Sequence, residues 1–182
     1  MSKNRIISSI LIGIISGIGI ALAGGFLLRL INISNDKFVD LGSLQFSFAF
    51  LDISFPLEKE LGYQLLTKSL YPAGFFIYLL FSIFIIGLGE EIFWRGFIQK
   101  KIAKYLPVNL SIWATAVLFS SIHFYIFEIL SVKKSFIFLI IIAIAGVVWG
   151  YLFNYFKNIW VSAISHGLAA FIIWKYYFFV VL

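Results

Sequence analysis

The sequence predicts an all-α protein that crosses a membrane about five times. Two observations carry that prediction, and a third gives it a purpose. First, 62% of the 182 residues are hydrophobic and only 12% are charged, about half the charged share of a soluble domain. Second, the apolar residues fall in long runs broken by short clusters of Lys and Pro. A run of about 20 such residues spans the hydrocarbon of a bilayer as a helix. Third, charges that do enter those runs are concentrated at Glu90, Glu91 and Arg95. A charge at the bilayer centre costs about 3 kcal/mol on insertion scales, so such residues face an interior and have partners.

The elements follow in order. A short basic start, with Lys3 and Arg5, precedes a first span over about 6–28. Gly13, Gly17 and Ala21 fall four apart on one face of it, the pattern of a helix-packing seam. Ala21-Leu22-Ala23-Gly24 resembles a signal-peptidase site, but the apolar run exceeds the ~7–15 residues of a signal core, which favours a retained helix. Residues 29–71 are polar and locally acidic. Within them Leu44, Phe46, Phe48 and Phe50 alternate with Gln45, Ser47 and Ala49, a period of two that predicts a strand or hairpin. After Pro56, Leu57, Leu61 and Leu65 lie four apart among polar residues, which predicts a short amphipathic helix on the membrane interface between spans one and two.

The second span is expected over 73–99, closed by Lys100, Lys101 and Lys104, and the third over 108–127, after Pro107. Lys133 and Lys134 precede a fourth over 135–155, in which Gly146 and Gly150 give a small-residue face for close packing. Lys157 marks a turn before a fifth over 159–181. No repeat or linker divides the chain, so residues 1–182 read as a single integral membrane domain.

Net charge is +6 and there is no cysteine. Disulfides and thiolate metal sites are thereby excluded. In a chain this apolar, the Lys and Arg excess belongs to helix ends facing anionic lipid, and no basic stripe with interleaved aromatics points to nucleic acid. The Lys-dense loop after span two places the N-terminus in the cytoplasm, and the protein is expected in a bacterial cytoplasmic membrane. Trp and Tyr are expected in the two interfacial belts.

Helical geometry sorts the intramembrane polar residues. Glu91 and Arg95 are four apart and share a face, whereas Glu90 is rotated ~100° around the axis. One glutamate can therefore be neutralised locally while the other serves a different site, as a general acid or base. The two histidines, His123 and His166, lie in the third and fifth spans, with Phe119 on the face of His123. Packing of spans two, three and five would bring Glu90, His123 and His166 together. These residues alone leave hydrolysis, proton transport and metal binding open.

The order and spacing of Glu90-Glu91-x-x-x-Arg95, Phe119-x-x-x-His123 and His166 resemble the CPBP (Abi) family, the CAAX-protease and bacteriocin-processing intramembrane proteases. Gly146-x-x-x-Gly150 followed by Asn158-Ile159-Trp160-Val161-Ser162-Ala163-Ile164-Ser165-His166 is similar to that family's closing segment. The resemblance covers a core of about 87–171. It implies an endopeptidase acting near a membrane face on a C-terminal sorting signal, a lipidated tail or a peptide precursor.

The resemblance also implies roles: Glu90 as the base that activates water, His123 holding that water, His166 stabilising the oxyanion, and Glu91, Arg95 and Phe119 orienting or structural. Ala170 departs from the pattern, because the family usually has a polar residue, often Asn, four after the last histidine. Glu90, His123 and His166 would also make a His2Glu zinc set. That set would use up His166, so glutamate-activated water without an obligatory metal is the expectation. The rivals are a non-catalytic binding or immunity protein of the same family and a proton-coupled carrier. The carrier lacks the inverted repeats and paired broken helices that such folds use.

Overall fold

The computed structural model describes residues 3–30, 45–48, 51–54, 72–128 and 130–173. Among the described residues five helices make a membrane bundle: α1 (Lys3–Leu30), α2 (residues 72–102), α3 (Val108–Ser121), α4 (Val132–Phe156) and α5 (Ile159–Ile173). Three stretches, Ile6–Leu30, Phe75–Ile102 and Val132–Phe156, are long and apolar enough to cross a membrane, and α3 and α5 are shorter apolar helices. The chain divides into two compact units, residues 37–78 and the remainder. In the smaller unit β1 (Gln45–Phe48) and β2 (Leu51–Ser54) pair antiparallel, with Phe46 opposite Ile53 and Phe48 opposite Leu51. Gln45–Phe48, the described part of the alternating stretch, is thus one strand of an antiparallel pair. The amphipathic segment expected after Pro56 lies outside the described residues, as does the fifth span beyond 173.

The larger unit is built inside out relative to a soluble protein. Large apolar side chains face outwards, among them Ile15 at 68% exposure and Phe26 at 62%, while Glu91 and Arg95 are fully buried. Lipid gives apolar side chains no reason to hide, so close small-residue packing and internal hydrogen bonds hold such helices together. Helix α5 sits at the centre, packed against α1, α2 and α4. Gly13 lies against Val161 and Ile164, and Gly17 against Ser165 and Leu168, so α1 and α5 run parallel along the expected glycine seam. On its other side α5 crosses α2 antiparallel, backbone to backbone. A Cβ on Gly167 would come 2.5 Å from Ile83 Cα and 2.6 Å from Ser82 O, and the Ser82 hydroxyl donates to the Gly167 carbonyl at 2.7 Å.

The stretch Gly146-x-x-x-Gly150 lets α4 approach α3, with Gly146 against Ala116 and Phe119 and Gly150 against Ile112. Helix α4 ends where Lys157 adopts the left-handed conformation (φ 51°) and its N–H returns to the Phe153 carbonyl. The Asn158 side chain then accepts the Trp160 N–H at the start of α5.

Candidate active site

Helix α2 carries the two glutamates on a four-residue α-helical piece, Leu88–Glu91. It is flanked by π-helical stretches at Ser82–Gly87 and Ile92–Gln99. Such i→i+5 insertions are rare and collect at functional sites. Glu91 and Arg95 pair as the four-residue spacing predicts: Arg95 Nη1 donates to Glu91 Oε1 at 2.8 Å, both side chains fully buried. Nη2 donates to the Gly146 carbonyl at 2.8 Å. The guanidinium carbon lies 5.0 Å from the Phe119 ring centre and 5.6 Å from that of Trp149, so the cation rests on aromatic faces as well as on its carboxylate.

Both glutamates reach His166, which differs from the division of labour that helical rotation alone suggests. His166 Nδ1 is 3.1 Å from Glu91 Oε1, the oxygen that Arg95 also holds, and Nε2 is 3.8 Å from Glu90 Oε2. A carboxylate only accepts, so Nδ1 carries a proton and donates to Glu91. Adjacent side chains of one helix thus address the two nitrogens of one imidazole. They differ in what else they touch. Glu91 is fully buried, and its Oε2 has no hydrogen-bond donor among the described residues. Glu90 is 35% exposed, and its Oε2 is buried with no hydrogen-bond donor among the described residues.

His123 does not lie mid-helix in a third span running to 127. Helix α3 ends at Ser121, and His123 sits in the turn before a 3-10 segment, Phe124–Glu128. The cause is local: His123 Nδ1 donates to the Phe119 carbonyl at 3.0 Å, satisfying a carbonyl that the terminated helix leaves without a partner. That bond fixes the tautomer in the neutral ring and leaves Nε2 able to accept. The turn keeps the histidine in the site, with its ring 5.1 Å from that of Phe119, which also meets the His166 ring at 5.6 Å.

Phe119 is the hub. Its ring lies edge-on to His123 at 5.1 Å, to His166 at 5.6 Å, to Trp94 at 5.7 Å and to Trp149 at 5.9 Å. Glu90, Glu91, Arg95, Phe119, His123 and His166 therefore form one cluster. Ala170, one turn beyond His166, adds no polar group to it.

Two members were not legible. Trp149 stacks flat on His166, ring centres 4.0 Å apart and planes at 19°. Tyr125 lies 5.9 Å from His123, ring centre to ring centre. The interfacial-belt rule assigns Trp and Tyr to helix ends, which suits Tyr105 and Tyr155, each 80% exposed, but not Trp149, which is 5% exposed. The available signal was its position between Gly146 and Gly150, on the stretch built for close approach.

His166 Nδ1 is engaged by Glu91 and His123 Nδ1 by a carbonyl, which leaves the Nε2 of each ring as the atom open to water, substrate or an ion. Among the described residues no three His, Asp or Glu side chains are disposed to hold an ion together.

Comparison with known proteins decides the family. Residues 72–172 match the family described as type II CAAX prenyl endopeptidase Rce1-like, more than half of the chain. The chain belongs to this family. No curated protein and no solved structure matches. The Rce1-like segment begins at the first residue of α2 and ends within α5, so it encloses every side chain of the cluster and leaves α1 outside. It also agrees with the CAAX-protease resemblance carried by the three short motifs, and with an integral membrane location.

Proposed function

We propose that the protein is an intramembrane endopeptidase that hydrolyses a peptide bond near a membrane face with water activated by Glu90. The observation that carries this reading is the contrast between adjacent glutamates. Glu91 is fully buried with its Oε1 held by both Arg95 and His166, whereas Glu90 is 35% exposed, with its Oε2 3.8 Å from His166 Nε2. Two carboxylates in such different surroundings take different roles.

In this reading Glu90 takes a proton from water while His123 Nε2 holds it, and the hydroxide attacks the peptide carbonyl carbon. His166 Nε2 faces the developing oxyanion. A ring that donates at Nδ1 to Glu91 donates at Nε2 as well when both nitrogens carry a proton. Collapse breaks the C–N bond, and the proton on Glu90 passes to the leaving amine. Arg95 acts through Glu91, fixing the imidazole rather than touching substrate. Peptide enters between helices from the lipid, and a C-terminal lipidated tail is the substrate class we favour. The face bearing Lys100, Lys101, Lys104 and Lys157 is cytoplasmic.

The test is cleavage of an internally quenched prenylated CAAX peptide by protein in lipid nanodiscs. Glu90→Ala and His123→Ala should each abolish turnover while helical content and thermal unfolding stay as in the wild type. Full turnover in either variant overturns the assignment. A second reading, a non-catalytic binding member, rests on Ala170, where no donor can assist His166. Ala170→Asn should raise turnover in an enzyme short of one oxyanion donor, a group whose removal elsewhere costs about 10²–10³ in kcat. In a binder it should change nothing.

A further inference from the structure

Helix α1 lies outside the segment that matches the family, yet a hydrogen-bonded line runs from it to Trp149, whose ring stacks on His166. Trp149 Nε1, which can only donate, is 3.1 Å from Ser165 Oγ. Ser165 Oγ is in turn 3.0 Å from Ser16 Oγ on α1. Ser16 also approaches the Ile12 carbonyl at 2.6 Å, its shortest contact. A serine has one proton. If Ser16 gives its proton to Ile12, then Ser165 gives its own to Ser16 while accepting from Trp149. Every donor in the line is then used, and each bond polarises the next. The far end of the line is the indole that lies flat against the His166 ring. The contact between α1 and α5 at this level is enforced by Gly17, where a Cβ would come 2.8 Å from the Ser165 carbonyl.

We propose that α1 completes the active site, with Ser16, Ser165 and Trp149 acting as positioning residues that lock the plane of the His166 ring. Resting on the endopeptidase reading, this explains why a Trp that the interfacial rule would place at a helix end is buried beside a catalytic imidazole. Glu91 fixes His166 at one edge through Nδ1; Trp149 fixes the ring face, and the serines fix Trp149. Trp149→Phe keeps an aromatic face and removes the N–H, so it isolates the hydrogen bond from the stacking.

The experiment is a kinetic cycle on the quenched prenylated CAAX peptide in nanodiscs, with tryptophan emission as an activity-independent readout. Ser16→Ala and Trp149→Phe should each lower kcat by about 10-fold with KM unchanged, within the 10–100-fold range seen when an outer support of a site is removed. The double variant should lose no more than about 10-fold in all, rather than the ~100-fold of independent effects. Trp149→Leu, which removes the stacked face too, should lose about 100-fold.

The Trp149 emission, obtained by subtracting the Trp149→Phe spectrum from that of wild type, should shift in Ser16→Ala. Wild-type kcat and an unmoved Trp149 emission in Ser16→Ala overturn the inference, as does strict additivity in the double variant. If turnover does not depend on Glu90, the endopeptidase reading itself fails; the emission arm still decides whether the line from α1 holds Trp149.

Discussion

Replacing Arg95 by Met tests whether the buried ion pair holds the site together. Arg95 makes two charge-assisted hydrogen bonds of 2.8 Å, to Glu91 Oε1 and to the Gly146 carbonyl, and both side chains of the ion pair are fully buried. Met roughly preserves the volume, so cavity formation is a minor part of the effect. What remains is a carboxylate with His166 as its only hydrogen-bonded partner, in surroundings that water does not reach. Removing one member of a buried pair costs about 3–5 kcal/mol, chiefly through the uncompensated charge left behind. Glu91 can escape part of that by taking up a proton, which places the expectation near the lower end, about 3 kcal/mol. The sign of a second substitution follows from the same argument. Glu91→Gln should be harmful alone but should recover roughly half of the loss when added to Arg95→Met, because it removes the orphaned charge. Reversible unfolding in mixed micelles with increasing denaturing detergent measures all four corners of the cycle. An Arg95→Met variant within about 1 kcal/mol of wild type would refute the reasoning, as would a double variant no more stable than Arg95→Met alone.

Four further outcomes are expected. A Cβ on Gly150 would sit 2.7 Å from Ile112 Cγ2, a side-chain atom, so Gly150→Ala should lower the unfolding midpoint and Ile112→Ala should restore part of it. No side-chain change should rescue Gly167→Ala, whose Cβ would meet the backbone of Ile83 and Ser82. Peptide cleavage should survive prolonged chelation by 1,10-phenanthroline, and a loss restored by added zinc would favour the metal version of the reaction. The chain has no cysteine, so single cysteines at Lys104 and at Lys133 should label from opposite sides of an intact membrane, Lys104 from the cytoplasm.

The sequence made the bundle legible because lipid imposes simple rules. Apolar runs had to be helices, and Lys clusters and Pro107 had to bound them. The pairing of Glu91 with Arg95 was readable because it is local, fixed by a four-residue spacing on one helix. The seam of Gly13, Gly17 and Ala21 was readable as a packing face, although its partner α5 was not. What escaped was set by tertiary contact. His123 leaves the helix because its own ring takes the Phe119 carbonyl, an alternative that hydropathy does not register. Glu90 and Glu91 converge on one imidazole because the glutamates lie between two π-helical stretches and α5 approaches at glycine distance. Trp149 lies away from the interface where Trp commonly sits, because its N–H donates to Ser165 Oγ and its ring stacks on His166.

The same register explains why the polar face of α2 can be buried at all. Glu91, Arg95 and Gln99 follow one another at four-residue spacing, and Gly146 and Gly150 repeat that spacing on α4. The two helices run in the same direction here, so the donors and carbonyls match in step. Arg95 donates to the Gly146 carbonyl and Gln99 to the Gly150 carbonyl. A residue with a Cβ at either glycine would press on α3, at Ala116 and Phe119 or at Ile112, and would move these carbonyls relative to α2. Each glycine therefore does two things, admitting α3 on one side and offering its carbonyl to a buried donor on the other. The cost of charge in lipid is met by backbone acceptors placed in register, and that arrangement leaves Glu91 free to hold His166 while Glu90 keeps an oxygen open for the reaction we propose.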